Sequence, residues 1–398
     1  MQYPHFADPK FLEDHIRRTL AFYEPNVFDP AGGFFQHFRD DGSVYDRRTR
    51  HLVSSNRFVF NYAMAARRFG GERHLTWALH GLAFLEERHR QPSGGYAWVL
   101  DGAAVKDATN HCYGLAFVMV AGATALLAGL EQGRAVLGQA WDLLEAHFWD
   151  PEYGLYKDEA NPDFSQISPY RGQNANMHAC EALLWTYEAT GERHFLDRAS
   201  LIADNVTRRQ AALAGGLVWE HYRADWSVDW DYNRDDPKHL FRPWGFQPGH
   251  QTEWAKLLLI LDRHAPQPWH LPTARALFDR AVELAWDREH GGLCYGFDPE
   301  GRICDGDKYF WVQAESFAAA RLLELATGER RYADWYDRLW QYSWDHMVDH
   351  LHGAWFRILT RENRKYDDLT SPAGKTDYHT MGACYELLRA QEAGAGGS

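Results

Sequence analysis

Ionisable side chains recur at one kind of position in this sequence: at or just before the start of a periodic apolar segment. Arg57 stands in SSNRF, His111 and Tyr113 in NHCYG, and Asn174, His178 and Glu181 in RGQNANMHACE. Further along, QPGHQTEW carries His250 and Glu253, KYFWVQAE carries Trp311 and Glu315, and TDYHTMG carries His379. If each apolar segment is a helix, these groups sit in its first turns. A glutamate there has an ordinary explanation, because carboxylates favour the positive end of a helix dipole; an imidazole or a guanidinium does not. Arg57, His250 and His379 therefore stand out. Imidazole, with an unperturbed pKa of about 6.5, is suited to moving protons at neutral pH. His250 and His379 hold equivalent places in different segments, so they could face one ligand from two sides. His74 and His194, in contrast, belong to turn motifs and read as structural. The chain shows no Walker loop, no Rossmann fingerprint after a strand, no HExxH and no paired CxxC. No cluster has the spacing of a metal site, so neither a metal nor a cofactor is expected.

The elements that would position these residues follow from an internal repeat. A glycine followed by an aromatic or aliphatic residue recurs in GGFFQHF, GGYAWVL, YGLYKDE, GGLVWEH, GGLCYGF and HGAWFRI. Measured at Gly33, Gly95, Gly154, Gly216, Gly292 and Gly353, the steps are 62, 59, 62, 76 and 61 residues. Each mark reads as a short strand after a tight glycine turn. Apolar stretches of helical period follow the marks at roughly 54–69, 109–128, 173–189, 249–264, 310–326 and 376–391. More charged, amphipathic stretches precede them at roughly 9–25, 72–90, 131–148, 193–210, 271–288 and 330–347. GGERH, TGERH and TGERR at residues 70, 190 and 327 join one kind to the other, glycine ending a helix and glutamate favouring the next start. Six similar pairs with no distinct capping pair suggest closure rather than a linear solenoid. The expected fold is all-α: an (α/α)6 barrel, a toroid of six inner and six outer helices with short β-hairpins in its loops. It forms one domain over 1–398, with 392–398 as a disordered tail. The extra length of the long step lies at 221–248, too charged for core and too aromatic for a passive linker. It reads as a wall or lid of the pocket.

Composition narrows the function. Hydrophobic residues make up 45% and charged residues 24% of 398, ordinary for a globular chain able to bury a large core. The formal charge of −13, without a basic cluster, argues against nucleic acid. The 17 Trp, 20 Tyr and 22 Phe suit both core packing and a pocket that stacks on the C–H faces of a sugar. The uncharged run from Tyr113 to Leu130 reaches the lower edge of a membrane span, but it fits the repeat and reads as a buried helix. The N-terminus has no apolar stretch of a signal peptide. The five cysteines are scattered, as expected of reduced thiols in a cytoplasm.

QNANMHACEAL, FQPGHQTEW, FWVQAES and TDYHTMGACYELL resemble the inner-helix motifs of the N-acylglucosamine 2-epimerase family, and the resemblance covers nearly the whole chain. Within the family it runs to the bacterial aldose–ketose isomerases acting on D-mannose. It implies an (α/α)6 barrel acting at the reducing end of a free monosaccharide, without metal or cofactor, as a cytoplasmic enzyme able to form a homodimer. By resemblance His250 and His379 are the catalytic pair. Arg57, Asn174, His178, Glu253 and Glu315 match ligand-binding positions, and Tyr113 and Trp311 line the sugar site. The reaction implied is interconversion of D-mannose and D-fructose through a cis-enediol. His379 would shuttle the C2/C1 proton, His250, oriented by Glu253, would open the ring, and Arg57 would polarise O1 and O2. The alternatives are 2-epimerisation, which needs a base on each face of C2; a glycoside hydrolase using two of Glu181, Glu253, Glu315, Asp305 and Asp307; and a non-catalytic sugar-binding scaffold.

Overall fold

Glycine turns and strand pairing set the geometry of the ring. In a computed structural model, which describes residues 3–239 and 241–395, twelve α-helices alternate between two layers. The outer layer is α1 (Pro9–Tyr23), α3 (Glu72–Phe84), α5 (Gln132–Leu143), α7 (Arg193–Asp204), α9 (His270–Ala285) and α11 (Arg330–Tyr342). The inner layer is α2 (Leu52–Phe69), α4 (Cys112–Leu127), α6 (Gln173–Thr190), α8 (Pro248–His264), α10 (Phe310–Thr327) and α12 (Tyr378–Ala395). The expected segments are these helices to within a few residues. Four outer helices run on into a wider π-helical turn, at Leu85–His89, Leu144–Phe148, Asn205–Gln210 and Ser343–Met347. The uncharged run from Tyr113 falls largely in α4, which is buried almost throughout, and no described helix is long and apolar enough to cross a membrane. Of the expected tail 392–398, residues 392–395 continue α12 and 396–398 lie outside the described residues.

Each inner helix has a good reason to start where it does. The residues just before it pair, antiparallel, with the loop of the next repeat: 49–51 with 99–101, 110–111 with 159–160, and 171–172 with 221–222. The series continues with Phe246 and Phe297, 308–309 with 358–359, and 369–371 with 37–39. The last pair joins the final repeat to the first, and α12 also packs on α1 and α2. The ring is therefore closed, with all six inner N-termini around one mouth. A second clamp ties helix to hairpin. The side-chain amides of Asn176, Gln251 and Gln313 each accept from and donate to one backbone residue, Tyr156, Val218 and Leu293 respectively, at 2.7–3.0 Å.

The glycine marks are hairpin turns at five of the six places, closing bridges such as Trp286 with Leu293 and Val348 with Trp355. Gly292 shows why: its φ is +74° and a Cβ there would lie 2.4 Å from the Tyr342 ring. The fourth mark departs from expectation. Gly216 donates to Ala211 O at 2.8 Å, so GGLVWEH ends a helix instead of turning a hairpin, and its strand begins later, at His221. The TGERR turn behaves as expected: Gly328, at φ +70°, closes α10 by donating to Glu324 O at 2.7 Å, and Glu329 caps α11. Between the layers lies one aromatic-rich core, in which Trp219, Trp254, Trp340 and Trp355 are fully buried.

Candidate active site

A pocket opens at the mouth where the inner helices start. Eight of the nine residues expected at the site line it: Arg57, Tyr113, Asn174, His178, His250, Glu253, Trp311 and His379. They come from all six inner helices, so closure of the ring brings together groups up to 322 residues apart. Glu315 is the exception. It lies behind His379, buried, and supports that ring instead of lining the pocket.

The hydrogen bonds of His379 define its state. Its Nδ1–H donates to Glu315 Oε1 at 2.7 Å, and the Arg57 guanidinium donates to its Nε2 at 3.1 Å. A guanidinium has only donors, so Nε2 must be the acceptor and the ring is the neutral Nδ1–H tautomer. Burial first, then the charge of Arg57, push the His379 pKa well below its ordinary value. The outcome is an unprotonated nitrogen on the pocket wall, the form a general base needs. Arg57 also donates to Tyr113 Oη at 3.1 Å and to Gly374 O, and stacks over the Phe117 and Tyr378 rings at 4.4 and 4.8 Å. Its Nε is buried without a partner.

His250 is held differently from expectation. Glu253, three residues on in the same helix, makes no hydrogen bond to it. Its Nδ1 donates instead to Glu220, 2.9 Å from Oε2. Glu220 is fixed in turn by Gln173 Nε2 at 2.9 Å, and Gln173 accepts from Trp254 Nε1 at 2.8 Å. That chain leaves Nε2 as the pocket-side nitrogen of His250. The Trp311 ring stands between the two histidines, its centroid 5.0 Å from that of His250 and 5.8 Å from that of His379. Sequence reasoning missed Glu220. The signal available was GGLVWEH, a glycine mark whose carboxylate, Glu220, stands just before its final histidine.

Beneath the pocket floor, carboxylates converge. His178 Nδ1 donates to Glu181 Oε2 at 2.9 Å, and Tyr378 donates to Glu181 Oε1 at 2.9 Å. Burial would raise Glu181, but the bond from His178 and the Lys256 ammonium outweigh it and bring its pKa down to about 2. Burial, with the Glu315 and Glu181 carboxylates close by, pushes Glu253 well above the ordinary carboxylate range. Neither Glu253 oxygen has a protein partner. Two sets, His178–Glu181–Glu253 and Glu253–Glu315–His379, bring donor atoms within 4.8 Å of one another, a spacing compatible with a metal ion. A cation of the chain is already among them: Lys256 Nζ lies 2.5 Å from Glu315 Oε2. The nearest oxygens of Glu253 to Glu181 and to Glu315 lie within 4.8 Å, closer than the about 5–9.5 Å between the two carboxyls of a hydrolase. Asp305 and Asp307 share an ion pair with Lys238, at 3.4 and 2.8 Å.

The long loop forms a wall, as expected. Phe241 and Pro243 line the pocket, and Arg242 anchors the segment by an ion pair to Glu159 and by stacking 3.9 Å over Tyr170. The lining also includes Tyr295, Tyr309, Phe310, Arg357 and Lys375; all but Phe310, the first residue of α10, lie in hairpins and loops and do not stand out in the sequence. Aromatic residues thus serve both purposes open at the outset, core and pocket.

The sequence profile of the family described as N-acylglucosamine 2-epimerase (GlcNAc 2-epimerase) matches residues 33–383. A protein of Marinomonas mediterranea named D-mannose isomerase is 58% identical over 390 residues, 98% of this chain and 99% of its own. A crystal structure of D-mannose isomerase superposes with a TM-score of 0.96 at 57% identity, covering 98% of this chain and 100% of that one. The cellobiose 2-epimerase of Bacillus thermoamylovorans shares the fold at a TM-score of 0.84 and 18% identity, over 96% of this chain and 100% of its own.

Proposed function

The chain belongs to the N-acylglucosamine 2-epimerase family, and from that premise we propose that it is an aldose–ketose isomerase interconverting D-mannose and D-fructose. The observation that carries the reading is 58% identity to a D-mannose isomerase along almost the whole of both chains. The geometry supplies a scheme. His250, backed by Glu220, exchanges protons with the ring and anomeric oxygens and opens the pyranose. His379 Nε2 then takes the proton from C2, the C2–H electron pair forms the C1=C2 bond, and O1 gains a proton from an acid. Glu253, its pKa raised by burial and its oxygens without a protein partner, is suited to be that acid. Arg57 steadies the enediol oxygens as charge develops on them. The imidazolium of His379 returns its proton to C1 as O2 gives its proton to the Glu253 carboxylate and C2 becomes the ketone. One base on one face suffices for this.

Metal independence follows in this reading from Lys256, whose ammonium balances the charge a metal ion would otherwise meet. Five cysteines without a disulfide partner suit a reducing compartment, and we place the enzyme in the cytoplasm. A second reading, 2-epimerisation, is favoured by one observation: both histidines line the same pocket, each with its own carboxylate. The test uses C2-deuterated mannose followed by NMR at early times. Fructose carrying part of the deuterium at C1 supports the isomerase. Glucose appearing first, with no fructose and no deuterium at C1, replaces it by the epimerase.

A further inference from the structure

A lysine buried among carboxylates demands an explanation, because an apolar side chain of the same length would avoid the cost of desolvating an ammonium. Lys256 is 6% exposed. It lies on α8 three residues after Glu253, hence on the same helical face. Its ammonium is 2.5 Å from Glu315 Oε2, while the other oxygen of that carboxylate accepts from His379 Nδ1 at 2.7 Å. Glu315 is thus oriented from two sides, by a cation and by the catalytic imidazole. Glu181 and Glu253 complete the surround, each in a set of donor atoms within 4.8 Å. We propose that Lys256 is a positioning residue of the catalytic centre: a built-in cation that fixes the Glu315 carboxylate on which the tautomer of His379 depends.

The side chain touches neither the pocket nor, in the scheme above, the sugar, so it acts through Glu315. Behind it a separate cavity, lined by Phe60, Trp185, Leu257 and Gly382, leads toward Glu188 and Arg389. Lys256 and Glu315 also line that cavity, so it borders the space a shortened side chain would leave.

The assignment rests on the isomerase reading, so wild-type turnover of D-mannose is the control; if wild type makes no fructose, that reading fails first. Lys256→Met keeps the length and removes the charge. It is expected to lower kcat by about 10²-fold, with KM within about threefold, because preorganisation and not binding is lost. Lys256→Arg, larger but charged, should keep at least about tenfold more kcat than Lys256→Met, the reverse of what packing alone would give. Lys256→Ala should regain activity with added ethylammonium and not with propanol. Wild-type kcat in Lys256→Met, an arginine variant no better than methionine, or equal rescue by the neutral alcohol would each overturn the assignment. If Lys256→Met does not fold, the uncharged pair Lys256→Met/Glu315→Gln takes its place. A kcat no lower than that of Glu315→Gln alone then supports the proposal, and a further hundredfold loss overturns it.

Discussion

Glu315→Gln tests the site at its most constrained point. One oxygen of the carboxylate accepts from His379 Nδ1–H at 2.7 Å, and the other is ion-paired with the Lys256 ammonium at 2.5 Å. An amide of the same shape has one oxygen and one NH2 and cannot satisfy both. With the oxygen toward His379, the NH2 meets the ammonium. With the oxygen toward Lys256, the NH2 meets Nδ1, which must then accept, and Nε2 takes the hydrogen. That tautomer would point a donor at Arg57, 3.1 Å away, and leave no base on the pocket side. A histidine held in the wrong tautomer by a carboxylate-to-amide change costs about 10⁴ in kcat. Here the oxygen-toward-His379 state survives in part, so the expected loss is about 10³–10⁴, roughly 4–5.5 kcal/mol of barrier. KM should move little, because Glu315 is not on the pocket wall. The assay is the initial rate of fructose formation from D-mannose, with circular dichroism to confirm the fold. Adding Lys256→Met removes the ammonium that opposes the productive amide orientation and should not lower kcat further. A Glu315→Gln enzyme within tenfold of wild-type kcat would refute the tautomer argument.

Glu220→Ala should lower kcat by about 10²–10³-fold, approaching the loss in His250→Ala, because it releases the ring that performs acid–base work on the sugar oxygens; wild-type rates in Glu220→Ala would detach it from His250. Exhaustive chelation with EDTA should leave turnover unchanged, and loss restored by a divalent ion would exclude the metal-free scheme. Acid should destabilise the fold between about pH 6.5 and pH 4.5. Burial, the main cause in each case, lowers the pKa of His15 and His51 to about 3 and of His89, His111 and His221 to about 4. The unfolded chain therefore binds these protons first, and stability falls as pH drops below about 6.5. Asp158, raised by burial to about 8, and Glu253 act in the opposite direction. More imidazoles are lowered than carboxyls are raised, so the net effect keeps this sign. Thermal unfolding followed from pH 7 to pH 5 should show a falling midpoint, and a flat or rising one would contradict the burial of these histidines.

Much of the architecture was legible in one dimension. The recurring step of about 60 residues, the alternation of apolar and amphipathic segments and the GERH turns depend on local propensity and helical period, which sequence displays directly. The clustering of Arg57, His178, His250 and His379 at helix starts was legible for the same reason. Which side chain meets which was not. His178 with Glu181 and His250 with Glu253 share the same three-residue spacing, yet only the first pair bonds, because the His250 ring turns instead to Glu220 on a loop of the preceding repeat. Glu315 has the same helix-start position as Glu253, but it faces Lys256 and His379 from behind. Helical spacing determines the face and the end on which a residue lies. Its partner across the ring depends on the rotation of two packed helices and on the path of a hairpin between them. Those are set by closure of all six repeats together, through contacts 30, 64 and 322 residues apart that no local pattern encodes.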